Sequence, residues 1–153
     1  MAKFKFKLES YLNLKEKLED QKKQEYGRAV GVLERERAEE ARLSRIATEN
    51  IAAFRESLEK PIDPALLKEY GNFSELMKRK IEAQRITVVK AEEAAEEKRL
   101  ELVEAVKEKK ALEILKEKAL EDFRQEEKLA EQRIVDEIVS YRFKMASDEE
   151  PDA

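Results

Sequence analysis

The chain has 153 residues, 44% of them Asp, Glu, Lys or Arg, with 7% aromatics, three glycines, three prolines and no Cys, His or Trp. That composition excludes a disulfide framework, thiol or imidazole catalysis and most zinc sites. A net charge of −4 with interleaved signs argues against nucleic acid as a partner, since phosphate neutralisation needs clustered cations. What remains is a chain of Ala, Glu, Lys, Leu and Arg whose apolar residues recur at helical spacing. It is expected to be all-α: a long two-helix antiparallel coiled-coil hairpin with a short helical connector, forming one unit over residues 1–146.

The first helix is predicted over about residues 4–59. Its stripe reads Phe4, Leu8, Tyr11, Leu18, Ala29, Leu33, Leu43, Ala47, Ile51, Phe54 and Leu58, the three-four spacing of a left-handed coiled coil. The middle is weak, because Lys22, Glu25, Glu36 and Glu40 fall on or near the seam. Two successive steps of four, Leu43 to Ala47 to Ile51, read as a stutter. Gly27 and Gly31, on one face, mark either a close helix contact or a tolerated weak patch, the second being the blander and preferred reading.

Pro61 and Pro64 break the first helix, since a proline disfavours helix in the residue before it. The connector is expected over 60–72. Asp63 is the N-cap and Pro64 the first residue of a mini-helix over 64–70 that Gly71 stops. Asn72 and Glu75 then suit a capping box opening a second helix over about 73–143. Its stripe includes Met77, Ile81, Gln84, Val88, Ala91, Ala95, Leu102, Ala105, Lys109, Leu112, Ala119, Phe123, Ala130, Ile134, Ile138 and Tyr141. A helix of that length, about 100 Å, needs its stripe covered, and the first helix is the nearest cover. Residues 147–153, acidic and carrying Pro151, are expected to be disordered.

No run of apolar residues is long enough to cross a membrane, and the Lys–Phe alternation of Met1–Leu8 lacks the apolar core of a secretory signal, so a cytoplasmic location is expected. Carboxylate pairs such as Glu92-Glu93 are numerous on exposed faces and carry no sign of a catalytic cleft, so no enzyme activity, cofactor or metal is expected. The basic stretch of Lys107, Lys109, Lys110, Lys116 and Lys118 follows an acidic one over 92–104; it reads as intrahelical pairing or as a charged docking surface. Two apolar groups exceed what a thin seam uses. One gathers Phe54, Leu58, Leu66, Leu67, Tyr70, Phe73, Leu76 and Met77 at the turn; the other gathers Phe4, Phe6, Leu8, Tyr11, Leu12 and Leu14 with Ile134, Val135, Ile138, Val139, Tyr141 and Phe143. Surplus apolar surface of this kind marks a binding site or self-association.

The opening Phe4-Lys5-Phe6-Lys7-Leu8-Glu9-Ser10-Tyr11-Leu12-Asn13-Leu14-Lys15, the Pro-bearing connector, Lys109-Lys110-Ala111-Leu112-Glu113 through Leu120-Glu121-Asp122-Phe123-Arg124-Gln125-Glu126-Glu127, and Ala130-Glu131-Gln132-Arg133-Ile134-Val135-Asp136-Glu137 together resemble the flagellar export protein FliJ family. The resemblance spans about Lys3 to Tyr141. It implies a non-catalytic stalk in the flagellar type III export apparatus. Such a stalk promotes assembly of the hexameric export ATPase FliI, contacts the export-gate protein FlhA, binds export chaperones, and lies at the inner face of the cell membrane through its partners. By the same resemblance the ATPase end is Leu8, Tyr11, Ile134, Ile138 and Tyr141, and the gate end Phe54, Tyr70, Phe73, Leu76 and Met77; beyond Phe73 and Met77 that face meets the polar Lys80 and Gln84. The competing reading is a generic coiled-coil scaffold acting by self-association; an RNA-binding helical arm is a third, opposed by the acidic balance.

Overall fold

A computed structural model describes residues 2–149. Among them lie two helices, α1 (Glu9–Ser57) and α2 (Pro64–Asp148), and no strand. The chain forms two compact units, Met1–Glu16 with Lys107–Ala153 and Lys17–Val106. In each, a piece of α1 runs antiparallel to a piece of α2. In the first unit Glu9 pairs with Lys116 and Lys15 with Glu108. In the second, Lys22 pairs with Glu101, Glu25 with Lys98, Arg37 with Glu92 and Glu40 with Arg85. The antiparallel helical hairpin expected from the sequence is the fold.

The covered residues keep a strict three-four alternation. Along α1 they include Leu12, Lys15, Glu19, Lys22, Tyr26, Ala29, Leu33, Glu36, Glu40, Leu43, Ala47, Asn50 and Phe54. Along α2 they include Leu67, Tyr70, Ser74, Met77, Ile81, Gln84, Val88, Ala91, Ala95, Lys98, Leu102, Ala105, Lys109, Leu112, Lys116, Ala119 and Phe123. The stutter expected at Leu43–Ala47–Ile51 is therefore absent. Ile51 stays 46% exposed, and Asn50 takes the seam position, its amide donating to the Tyr70 carbonyl at 3.4 Å. Gln84 behaves likewise, donating to the Glu36 carbonyl at 2.9 Å and to its carboxylate at 2.6 Å. Polar residues hold the register here because each finds a partner inside the seam. No buried side-chain nitrogen or oxygen among the described residues lacks one.

Three boundaries differ from the sequence reading. Residues 2–6 are non-helical, and α1 starts at Glu9, whose amide donates to the Phe6 carbonyl. The Lys–Phe alternation has period two, so it puts Phe4 and Phe6 on the half-buried side and Lys3, Lys5 and Lys7 in water; a helix would scatter them. At the turn Asp63 caps α2 as expected, its carboxylate accepting from the Ala65 amide at 3.0 Å. However, α2 continues through Gly71 and Asn72, so the mini-helix over 64–70 is simply its first two turns. A glycine ends a helix by adopting positive φ, and none here does. Continuity keeps Tyr70 and Met77 on one face, which outweighs the ~1 kcal/mol intrinsic penalty of glycine. At the other terminus Ser147 and Asp148 are helical, contrary to the expected tail, while residues 150–153 lie outside the described residues.

Gly27 and Gly31 are not close-contact sites: a Cβ built on either meets nothing within 4 Å. The weak-patch reading holds. Changing both to Ala should therefore stabilise the protein by about 1 kcal/mol each, seen as a rise of several degrees in Tm by circular dichroism; a fall would mean that the space beside them is used.

The Lys22–Glu25–Lys98–Glu101 cluster has side chains 24–36% exposed, with bonds of 3.0–3.4 Å. Hydrogen bonds from Lys22 and then Lys98 hold the Glu101 carboxyl below its ordinary range, and Gln21 and then Lys22 do the same for Glu25. Glu101 in turn raises both lysines. Depressed carboxyls contribute stability above their ordinary range and lose it as the pH falls through their folded values. Raised lysines contribute below their ordinary range and lose it as the pH rises through theirs. Tm should stay level between about pH 6 and pH 9 and fall outside that window on both sides. Glu101→Gln should flatten part of the acid limb in pH-dependent melting curves.

Candidate functional site

No group of three or more His, Cys, Asp or Glu among the described residues could hold a metal ion, and no helix among them is long and apolar enough to cross a membrane. The surfaces with chemistry to offer are apolar, one in each unit.

In the unit of residues 17–106 the turn brings Phe54 edge-on to Tyr70, ring centres 5.8 Å apart. Beside them a hollow of about 300 Å³ is lined by Asn50, Ile51, Phe54, Leu67, Tyr70, Gly71 and Ser74. It exists because the seam positions here carry Asn50, Ser74 and a glycine neighbour, which fill less space than the Leu and Met further along. Met77 is 3% exposed and belongs to the core, so it is not offered to a partner. Phe73 is 37% exposed and Leu76, Leu66 and Leu58 are more so. Of the predicted gate-end residues, then, Phe54 and Tyr70 wall the hollow, Phe73 and Leu76 face out beyond the seam, and Met77 fastens it. Leu67 was placed in the apolar group at the turn, but Ile51 and Gly71 were missed. Ile51 was assigned to the seam, and only the uninterrupted α2 puts Gly71 beside it.

In the other unit Phe4 packs on Phe123, ring centres 5.5 Å apart and tilted by 55°. Phe4, Phe6 and Leu8 border a hollow with Leu115, Ala119 and Phe123. Lys15 sits over the Tyr11 ring at 5.2 Å and bonds Glu108 at 2.6 Å, contacts that together raise its pKa, the Glu108 bond foremost. Leu8 and Tyr11 are thus exposed but lie along residues 108–126. Ile134, Ile138 and Tyr141 lie further on, in a stretch over 128–149 that is exposed throughout, Tyr141 at 64%. The structure does not bring the two halves of the predicted ATPase end together. Phe4 sits at Phe123, eleven residues before Ile134. Lys109, Lys116 and Glu92 engage Glu113, Glu9 and Arg37, so part of the alternating charge serves intrachain pairing.

Core and surface roles separate by substitution. Met77→Ala should lose about 2–5 kcal/mol, while Phe73→Ala, 37% exposed, should lose only about 1–2 kcal/mol, both measured by urea denaturation; a Phe73 loss at the upper end of the Met77 range would make Phe73 a core residue.

The family model described as "Flagellar FliJ protein" matches residues 4–147. Among solved structures, a protein of Chlamydia trachomatis described as a homologue of YscO, CT670, superposes with a TM-score of 0.62 at 18% identity, over 97% of this chain and 100% of that one. No curated protein sequence matches. At that identity the superposition establishes the shared fold alone. The family match covers nearly the whole hairpin, including the non-helical start, the turn and the exposed end of α2, and on it the chain belongs to the flagellar FliJ family of type III export apparatus components.

Proposed function

We propose that this chain is a non-catalytic stalk of the flagellar type III export apparatus, which binds the export ATPase FliI, promotes its hexamer and links it to the export gate FlhA. The observation that carries this is the family match over residues 4–147, taken with apolar surface left uncovered in both units. A stalk works by contact: it presents side chains to a ring and needs neither base nor metal. The exposed Ile134, Ile138 and Tyr141 supply one such surface for the ATPase, and Leu8 and Tyr11 a second, separate one. Phe73 and Leu76, with Phe54 and Tyr70 around the adjoining hollow, supply the gate surface, into which an apolar side chain of the partner fits. Export chaperones that have released cargo are further partners. The chain reaches the inner face of the membrane from the cytoplasm through these contacts.

Addition of the protein to the flagellar ATPase should raise ATP turnover and shift the enzyme to hexamers in size-exclusion chromatography. Ile138→Glu should abolish both, and Phe73→Ala should weaken FlhA binding more than it lowers Tm. An ATPase indifferent to the protein in turnover and assembly would overturn the reading and favour a self-associating scaffold.

A further inference from the structure

The apolar residues at the end of α2 do not continue the intrachain seam. Carried past Phe123, the seam alternation would reach Glu126, Ala130, Arg133, Glu137, Ser140 and Lys144, which are nearly all polar. Off those positions stand Ile134, Ile138, Tyr141 and Met145, a four-three-four run displaced by one residue, with Val135, Val139 and Phe143 exposed beside it. One residue is about 100° around a helix. This stripe therefore lies about 100° around the helix from the seam face. All four residues are exposed, Ile138 least at 49% and Tyr141 most at 64%.

We infer that this stripe docks a second copy of the same chain, forming a weak two-helix contact over residues 134–145. The charges beside it carry the choice of occupant. With Ile138 and Met145 as one set of core positions and Ile134 and Tyr141 as the other, the flanking residues are Glu137 and Lys144 on one side, and Val135, Arg142 and Glu149 on the other. Two copies running parallel set Glu137 against Arg142 and Lys144 against Glu149, each twice by symmetry. Two copies running antiparallel set Glu137 against Lys144, again twice. In both directions every charged flank adjoining the core meets opposite charge or an apolar neighbour, so the stripe is complementary to itself. Four core residues per copy give an interface at the small, transient end of the range, below about 1,200 Å² in total. The dimer is accordingly concentration-dependent. It does not depend on the ATPase reading, although a ring that used the same stripe would compete with it.

Sedimentation equilibrium of the full chain alone, from low-micromolar to sub-millimolar concentration, tests this. The wild type should pass from monomer to dimer, and Ile138→Glu should remain monomeric with Tm unchanged, since Ile138 has no intrachain cover to lose. Glu137→Lys should weaken the dimer several-fold. Adding Arg142→Glu should restore it if the copies run parallel, or adding Lys144→Glu if they run antiparallel. A wild type that stays monomeric throughout, a dimer indifferent to Ile138→Glu, or failure of both second changes to restore association would each overturn the proposal, and none of these measurements involves the ATPase.

Discussion

Everything in this fold rests on one constraint: each helix has only the other to cover it. No large side chain is fully buried anywhere among the described residues. A globular core can hide a misplaced residue behind a second layer; a two-helix seam cannot, since every third or fourth residue either meets its opposite number or meets water. The strict alternation along both helices is the consequence. So is the readiness with which polar residues are accepted, provided each finds a hydrogen-bond partner across the seam or within its own turn. Gln84 on Glu36, Asn50 on Tyr70, and the Lys22–Glu25–Lys98–Glu101 cluster replace apolar layers with directional ones. Partly hydrated pairs of this kind contribute little stability individually. They do contribute register: a one-layer slip would leave Gln84 and Glu36 without each other in a half-covered seam, and half-covered polar groups without partners are costly.

The same constraint explains which features were legible in the sequence. Periodicity alone placed Leu43, Val88, Ala91, Ala95, Ala105 and Leu112 in the seam, where they are buried, because a thin seam leaves its spacing written in the residues. Reading by apolarity failed where the seam was polar. Ile51 looked like a better seam residue than Asn50, yet Asn50 is half-covered while Ile51 faces water. There hydrophobicity chose the wrong neighbour; at Tyr11 it was the three-residue step from Leu8 that passed over the buried Leu12. Gly71 misled for a different reason. Glycine permits a helix to end but does not require it, and the faces of Tyr70 and Met77 tie the helix together across it. The start of α1 failed because Phe4 and Leu8 happen to stand four apart, although their alternation with lysine has period two.

The candidate sites divided along the same line. Residues of the gate-end prediction were found together because sequence-local contacts at a turn bring them together, whichever of them proves to be core. The ATPase-end prediction joined two stretches by assuming that the two termini of a hairpin meet. The ring contact of Phe4 with Phe123 fixes the alignment of the N-terminal segment along α2, and no periodicity could have given that alignment.

What the end of α2 adds is a change of face. Where α1 is alongside, the buried apolar residues of α2 point at it while others such as Val89 and Val106 face water; past Phe123 the seam positions become nearly all polar and the off-seam apolar residues remain, about 100° around the helix. An overhang left by chance would keep the old face and lose hydrophobicity gradually, with charges taking over seam positions one by one. Here the old face becomes polar at Arg133, Glu137 and Lys144 while a new one opens at Ile134 and Ile138 in the same turns of helix. Exposed apolar residues clustered in this way on a helix favour association. Because the stripe points off the seam, a partner engaging it leaves the hairpin's own contacts intact: binding and folding use different faces of one helix. That separation arises from a displacement of one residue in the apolar pattern.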